Sequence, residues 1–272
     1  MGTYVNPGFD NFNSSRKNKF YVDKSMLIAL LNEKIGTDDR FLCVSRPRRF
    51  GKTMAANMIA AYYTKGVDSH DAFKGLKIES DSSFEEYINK YNVLKLDAIS
   101  FYYGRIKGQS SMEKMISLVI PEFREQFTDL VFPDTCNIAQ AIRTVYEEKK
   151  EQFVIIIDEY DVMVRENDRE EMEPYLNFLN GLFKNSNLAP AIALSYVTGI
   201  LPVIKCEVQS KLNNFIERSM LDAGSFAPFM GFTKDEVRIL AEKNGMDMAE
   251  LERWYDGYCV DGVELYSPKS VI

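Results

Sequence analysis

Residues 45–53 read Ser45-Arg46-Pro47-Arg48-Arg49-Phe50-Gly51-Lys52-Thr53. An apolar run, Phe41-Leu42-Cys43-Val44, leads into them, and a helix-forming segment from Met54 to Tyr63 leads out. Strand, tight loop and helix, in that order, are the setting in which Gly-Lys-Thr binds phosphate. The first N–H groups of a helix have no partner within it, so they point at an anion whose charge the helix dipole favours. Pro47, Arg48, Arg49, Phe50, Gly51 and Met54 would form the cradle. Lys52 would reach the β- and γ-phosphates, and the Thr53 hydroxyl would sit on Mg²⁺. One position departs from the pattern: six residues before Lys52, where Gly is expected, stands Arg46.

Gly-Lys-Thr alone is common by chance, so the loop needs a partner motif. Phe153-Val154-Ile155-Ile156-Ile157 is an apolar run of the kind a strand buried on both faces requires, and it ends in Asp158-Glu159. Asp158, at the tip of such a strand, would hold Mg²⁺ directly or through its water. Glu159, one residue on, is placed to orient or deprotonate the attacking water. Either motif by itself has an ordinary strand end as its alternative reading; the pair is much harder to obtain by chance.

The chain has 272 residues, enough to bury a substantial core as one large domain or two. Its net charge of −7 argues against wholesale nucleic-acid binding, so the cations crowded into one loop (Arg46, Arg48, Arg49, Lys52) are a local exception. They read either as a solvated basic turn or, beside Gly-Lys-Thr, as an anion pocket. The 4 cysteines are scattered without paired spacing and read as reduced and structural. Neither a signal peptide nor an apolar stretch long enough to span a bilayer is evident, which makes cytoplasm the expected compartment. The single histidine, His70, excludes a multi-histidine metal centre, and its polar surroundings (Asp68-Ser69-His70-Asp71) read as surface.

Along the chain, the first 19 residues read as an irregular arm and Asp23 as the N-cap of a helix through Asn32. Strands are expected near 40–45, 92–97, 153–157 and 191–197, and helices over 112–127, 136–150 and 170–184. This alternation implies a largely parallel α/β sheet whose ligand lies at the carboxyl ends of the strands. The loop, the two acids and Thr198 all fall there. From Gly231 the character changes. Thr233 and Glu236 form a capping box before a helix, and Asp247 and Glu250 repeat the signature before a second helix near Trp254. The expected organisation is therefore a core over residues 1–230 with its N-terminal arm, then a small helical lid over 231–272.

Several blocks together resemble the bacterial AAA-ATPase-like family. They are Phe20-Tyr21-Val22-Asp23-Lys24-Ser25, the loop at 45–53, Asp158-Glu159-Tyr160-Asp161, Thr198-Gly199-Ile200-Leu201, Leu212-Asn213-Asn214-Phe215, Gly231-Phe232-Thr233 and Trp254-Tyr255-Asp256-Gly257-Tyr258. In this order they cover the chain from about residue 9 to 272. The family's core is similar to archaeal and STAND-type ATPases, whose loop often reads Gly-Pro-Arg-Arg-x-Gly-Lys-Thr. The resemblance implies a P-loop NTPase fold of the ASCE, AAA-like kind, with ATP and Mg²⁺ as ligands. It also implies that Tyr21 lines the adenine pocket and that Thr198 is the polar sensor near the γ-phosphate. Family members usually continue into a nuclease-like domain, and Tyr266-Ser267-Pro268-Lys269-Ser270-Val271 is similar to the junction, so the chain is expected to stop short of a further domain.

The leading expectation is a Mg²⁺-dependent ATPase that regulates or drives an attached or partner domain, with Lys52, Glu159 and Thr198 as the catalytic set. Arg48 and Arg49 either add charge at the phosphates or pair with acids of the lid. Arg218 reads either as a finger completing a neighbouring subunit's site in a homo-oligomer or as a surface arginine on a helix. The alternative is a nucleotide-gated binding module with little or no hydrolysis, favoured by Arg46 and opposed by the intact Glu159. A nucleic-acid processing role is the weakest of the three.

Overall fold

The computed structural model describes residues 1–202, 214–246 and 257–268. Among the described residues its main sheet has five strands: β1 (Phe41–Ser45), β2 (Asn92–Asp97), β3 (Phe153–Asp158), β4 (Ile192–Gly199) and β5 (Ile216–Arg218). They lie in the order β2-β3-β4-β1-β5, and every neighbouring pair is parallel. β1, β3 and β4 are buried at every position, as helices on both faces of a parallel sheet demand. This is a P-loop NTPase sheet of the ASCE type. The strand that feeds the phosphate loop and the strand that ends in the acids are not neighbours, because β4 stands between them.

Strand alternation sorts the side chains into two cores. Leu42, Val44, Val154, Ile156, Leu194 and Tyr196 pack on the face covered by the helix Lys52–Tyr63, while Cys43, Ile155, Ile157 and Val197 pack on the other. Carried to the strand tips, the same period of two puts Asp158 and Thr198 on the face of the loop's helix. A one-residue slip of β3 would turn Asp158 away from it.

The amino-terminal stretch is more ordered than its composition suggests. It contains a helix, Asp10–Arg16, and the residues before it run along the outer edge of β2. Asn6 N donates to Val93 O and Lys95 N to Tyr4 O, both at 2.8 Å. The Glu122 carboxylate receives the N–H groups of Thr3, Tyr4 and Val5 at 2.9, 2.7 and 2.9 Å. The edge strand is thereby satisfied and shielded from intermolecular pairing. Asp23 is not an N-cap: the helix starts at Met26, and the two Asp23 oxygens accept from Ser25 N and Lys77 N, both at 2.8 Å.

Helices at Ser111–Gln126 and Ile138–Lys149 start with complete capping boxes, Ser110 with Glu113 and Asn137 with Gln140. Towards the carboxyl end, Thr233 and Glu236 cap the helix Lys234–Asn244 as expected. Beside that helix lies a small antiparallel sheet that periodicity did not reveal, built from β6 (Phe232–Thr233), β7 (Tyr258–Val260) and β8 (Val263–Tyr266) in the order β6-β8-β7. The second expected helix, before Trp254, and Leu212 and Asn213 lie outside the described residues. Among the described residues, no helix is long and apolar enough to cross a membrane.

Candidate functional site

The loop at 45–53 turns through two left-handed residues, Arg49 at φ 72° and Gly51 at φ 76°. Gly51 takes that conformation freely, whereas Arg49 holds it against a steric cost of about 1–2 kcal/mol. Such alternation turns successive N–H groups to one side and makes an anion-binding concavity. The helix Lys52–Tyr63 starts directly after Gly51, so its unpaired N–H groups open into the same space. Arg48 and Arg49 are exposed at the rim.

Arg46 is not part of that concavity. It keeps an ordinary negative φ, so the chain needs no glycine there. Its side chain is buried and turns into the molecule, where Nη1 donates to Phe229 O at 2.6 Å and Nη2 to the Tyr196 hydroxyl at 2.9 Å. The residue that breaks the sequence pattern ties the loop to β4 and to the segment ahead of β6.

Lys52 is almost wholly buried. Its Nζ donates to the carbonyls of Arg46 and Pro47, both at 3.2 Å, and pairs with Glu159 Oε1 at 3.2 Å. Thr53 Oγ1 donates to Asp158 Oδ2 at 2.6 Å. The other oxygen, Asp158 Oδ1, is buried without a hydrogen-bond partner, and burial pushes this carboxyl above its ordinary pKa. A divalent cation beside Thr53 Oγ1 and Asp158 Oδ1 would supply the missing partner and reverse that shift. The hard oxygen donors fit Mg²⁺, which keeps several waters and takes its remaining ligands from phosphate. In register with Asp158 lies Asp97, also raised by burial, whose Oδ1 accepts from Ile99 N at 3.1 Å.

Glu159 stands in the left-handed region at φ 52°. Its Oε2 accepts from Arg165 Nη1 at 2.8 Å, so the carboxylate lies between two cations, Lys52 and Arg165. Arg165 ends the short helix Val162–Arg165, and its Nε lies 3.6 Å from Asp161 Oδ2. Asp161 is fully buried and accepts from Ile200 N at 3.1 Å and Leu201 N at 2.8 Å, tying the turn after β3 to the end of β4. A Cβ on Gly199 would come within 2.6 Å of Asp161 Oδ1 and 2.7 Å of the Tyr160 ring, which explains the glycine after Thr198. The Thr198 hydroxyl is buried and donates to Val44 O at 2.8 Å, so its proton serves β1 rather than the open mouth. Motif reading assigned no role to Asp161, although it closes one of the blocks that carry the family resemblance, and none to Arg165, whose signal was a charge after an apolar run.

Two hollows meet at the loop. One is lined by Arg48, Arg49, Lys52, Thr53, Glu159 and Arg165. The other is chiefly apolar, with Phe20, Tyr21, Val22, Phe50 and Met58 among its walls. Gly51, Met54 and Pro268 line both. Tyr21 is thus brought beside the phosphate loop, and burial raises the pKa of its phenol. Lys24 bridges this wall to the carboxyl-terminal helix, pairing with Glu236 at 2.5 Å. Arg218 lines neither hollow. It belongs to edge strand β5 rather than to a helix, and its Nη1 lies 3.4 Å from Asp222.

The chain is 27% identical over 259 residues to a protein of Azotobacter chroococcum mcd 1 described as an uncharacterized protein in the vnfD 5′ region. The alignment covers 92% of this chain and 47% of that protein, so the chain spans about half the length of its curated relative. A solved structure of the Aeropyrum pernix ORC2 protein, in ADPNP and ADP complexes, superposes with a TM-score of 0.47 at 10% identity, over 90% of this chain and 59% of that one. The family model described as predicted AAA-ATPase matches residues 7–209. That match takes in β1 to β4 with the loop and both acids, and on it the chain belongs to the AAA-ATPase-like family.

Proposed function

We propose that the chain is a Mg²⁺-dependent ATPase module whose turnover regulates or drives an attached or partner domain. The observation that carries this reading is the meeting of Thr53 with Asp158 beside a buried Lys52, with Glu159 one residue further on. The adenine would enter the apolar hollow against Tyr21, and the triphosphate would lie over Gly51 on the helix N-terminus. Lys52 would leave its carbonyl partners for the β- and γ-phosphates. Bound Mg²⁺ would neutralise charge on the phosphate oxygens. Glu159, released from its cations, would accept the proton of the water that attacks the γ-phosphorus.

The nucleotide-gated switch remains the second reading, and it has its own observation. Glu159 is held by two cations, one on each carboxylate oxygen, and in that state it is not placed to receive a proton from water. Arg46 no longer favours the switch, because its side chain leaves the loop for the core. Phosphate release from ATP, measured at several protein concentrations with Lys52→Ala and Glu159→Gln as controls, separates the two. Turnover lost in both variants, with binding kept in Glu159→Gln, supports the ATPase. Binding that depends on Lys52 without any turnover supports the switch. Turnover per subunit that rises with concentration would point to a homo-oligomer with shared sites.

A further inference from the structure

Glu159 accepts Lys52 Nζ at 3.2 Å on one carboxylate oxygen and Arg165 Nη1 at 2.8 Å on the other. Both cations are well shielded, with side-chain exposures of 4% and 12%. Both also line the hollow that opens over Thr53. In this arrangement a carboxylate occupies the place of an anion between the phosphate-loop lysine and a second, fixed guanidinium. A phosphoryl group presents the same acceptor geometry with more charge, and a planar guanidinium recognises it through paired N–H donors.

We infer that Arg165 is a γ-phosphate contact supplied by the same chain, held in reserve on Glu159, so that a triphosphate and not a diphosphate frees the glutamate. The inference rests on the nucleotide reading above and goes beyond it by naming the residue that tells ATP from ADP. The β-phosphate alone would draw Lys52 away and leave Glu159 paired with Arg165. A terminal phosphate beyond it meets Arg165 from the hollow's side, competes with the carboxylate for Nη1, and leaves Glu159 without a cation. Only then is the carboxylate free of both cations and open to a hydrogen bond from water. Asp161, 3.6 Å from Arg165 Nε and bonded to the N–H groups of Ile200 and Leu201, keeps the guanidinium in place during the exchange.

Equilibrium binding of ADP and of an ATP analogue with an imido β–γ bridge, both with Mg²⁺, tests this on wild type, Arg165→Ala, Arg165→Lys and Glu159→Gln. Loss of a charge-assisted hydrogen bond predicts that Arg165→Ala weakens the triphosphate about 10- to 100-fold and leaves ADP nearly unchanged. Arg165→Lys should recover part of that loss. Glu159→Gln, which removes the competing anion, should tighten the triphosphate more than ADP. Equal weakening of both nucleotides in Arg165→Ala would make Arg165 a structural residue and overturn the inference. So would a Glu159→Gln chain with unchanged triphosphate affinity. Wild type that binds neither nucleotide would overturn the nucleotide reading itself, and this inference with it.

Discussion

Thr53 and Asp158, 105 residues apart in the chain, meet through one hydrogen bond of 2.6 Å from hydroxyl to carboxylate. The bond leaves Asp158 Oδ1 buried and unpartnered, so under the Mg²⁺ reading proposed above it is the oxygen free to ligate the cation. Asp158→Asn should therefore lower nucleotide affinity by about tenfold or more with Mg²⁺ and change it little with excess EDTA, since a cation contact resembles other charged contacts in scale. Titration with a fluorescent nucleotide in the two buffers reads the difference. An equal loss in both would detach Asp158 from the metal.

Restoring the consensus glycine at Arg46 should harm the protein. Arg46→Gly removes two donors, one from the half-buried Phe229 O and one from the buried Tyr196 hydroxyl. A loss of roughly 2–4 kcal/mol is expected from two hydrogen bonds to a charged group and the space left behind. Urea unfolding would show it as a lower midpoint, and an unchanged midpoint would contradict the role given to this side chain.

Gly199→Ala should cost about 1–3 kcal/mol, because the new methyl has Asp161 Oδ1 and the Tyr160 ring within its radius. The expected signature beyond stability is faster exchange of the Ile200 and Leu201 amides, which Asp161 now holds. Protection of those amides at the wild-type level would show that the turn absorbs the methyl.

His70 supplies a pH prediction. Its Nδ1 lies 2.6 Å from Asp68 Oδ1, and Nε2 lies 3.3 Å from Glu85 Oε2. The bond to Asp68 is the main cause of a pKa above the usual 6.5. Because the folded value is raised, the stabilisation is fully present below about pH 6.5 and is lost as pH rises through the folded pKa. The ring is half exposed, so the effect is small and fades with salt. As the chain has 1 histidine, a proton NMR titration reads it directly. A value at or below 6.5 in low salt would refute the pairing.

The phosphate loop and the acidic strand end were legible because each is a contiguous motif with a fixed local geometry. Tyr21 came from the family resemblance, and its place in the apolar wall depends on contacts no spacing rule predicts. The inward turn of Arg46 could not be read from its neighbours, since its two shorter hydrogen bonds reach partners 183 and 150 residues away. Strands β5, β6 and β7 span only three, two and three residues, too few for a period of two to stand out. The place of Glu159 at the strand end was readable, but its pairing with Arg165 was not, because a four-residue helix gives no periodic signal.

The position of β4 also sets when the protein becomes competent during its synthesis. Neighbouring strands lie about 4.8 Å apart, so β4 holds the tips of β1 and β3 at roughly twice that spacing. A ribosome that has released the chain through Glu159 has delivered both motifs but not the wedge that separates them. Until residues 192–199 emerge and dock, β1 and β3 lack the strand that pairs with both, and unpaired apolar strand edges favour aggregation. Nucleotide would then arrive as a late clamp on a nearly finished sheet rather than as a template for its folding. A nascent chain arrested at Lys184 should hold no ATP, and one arrested well past β5 should.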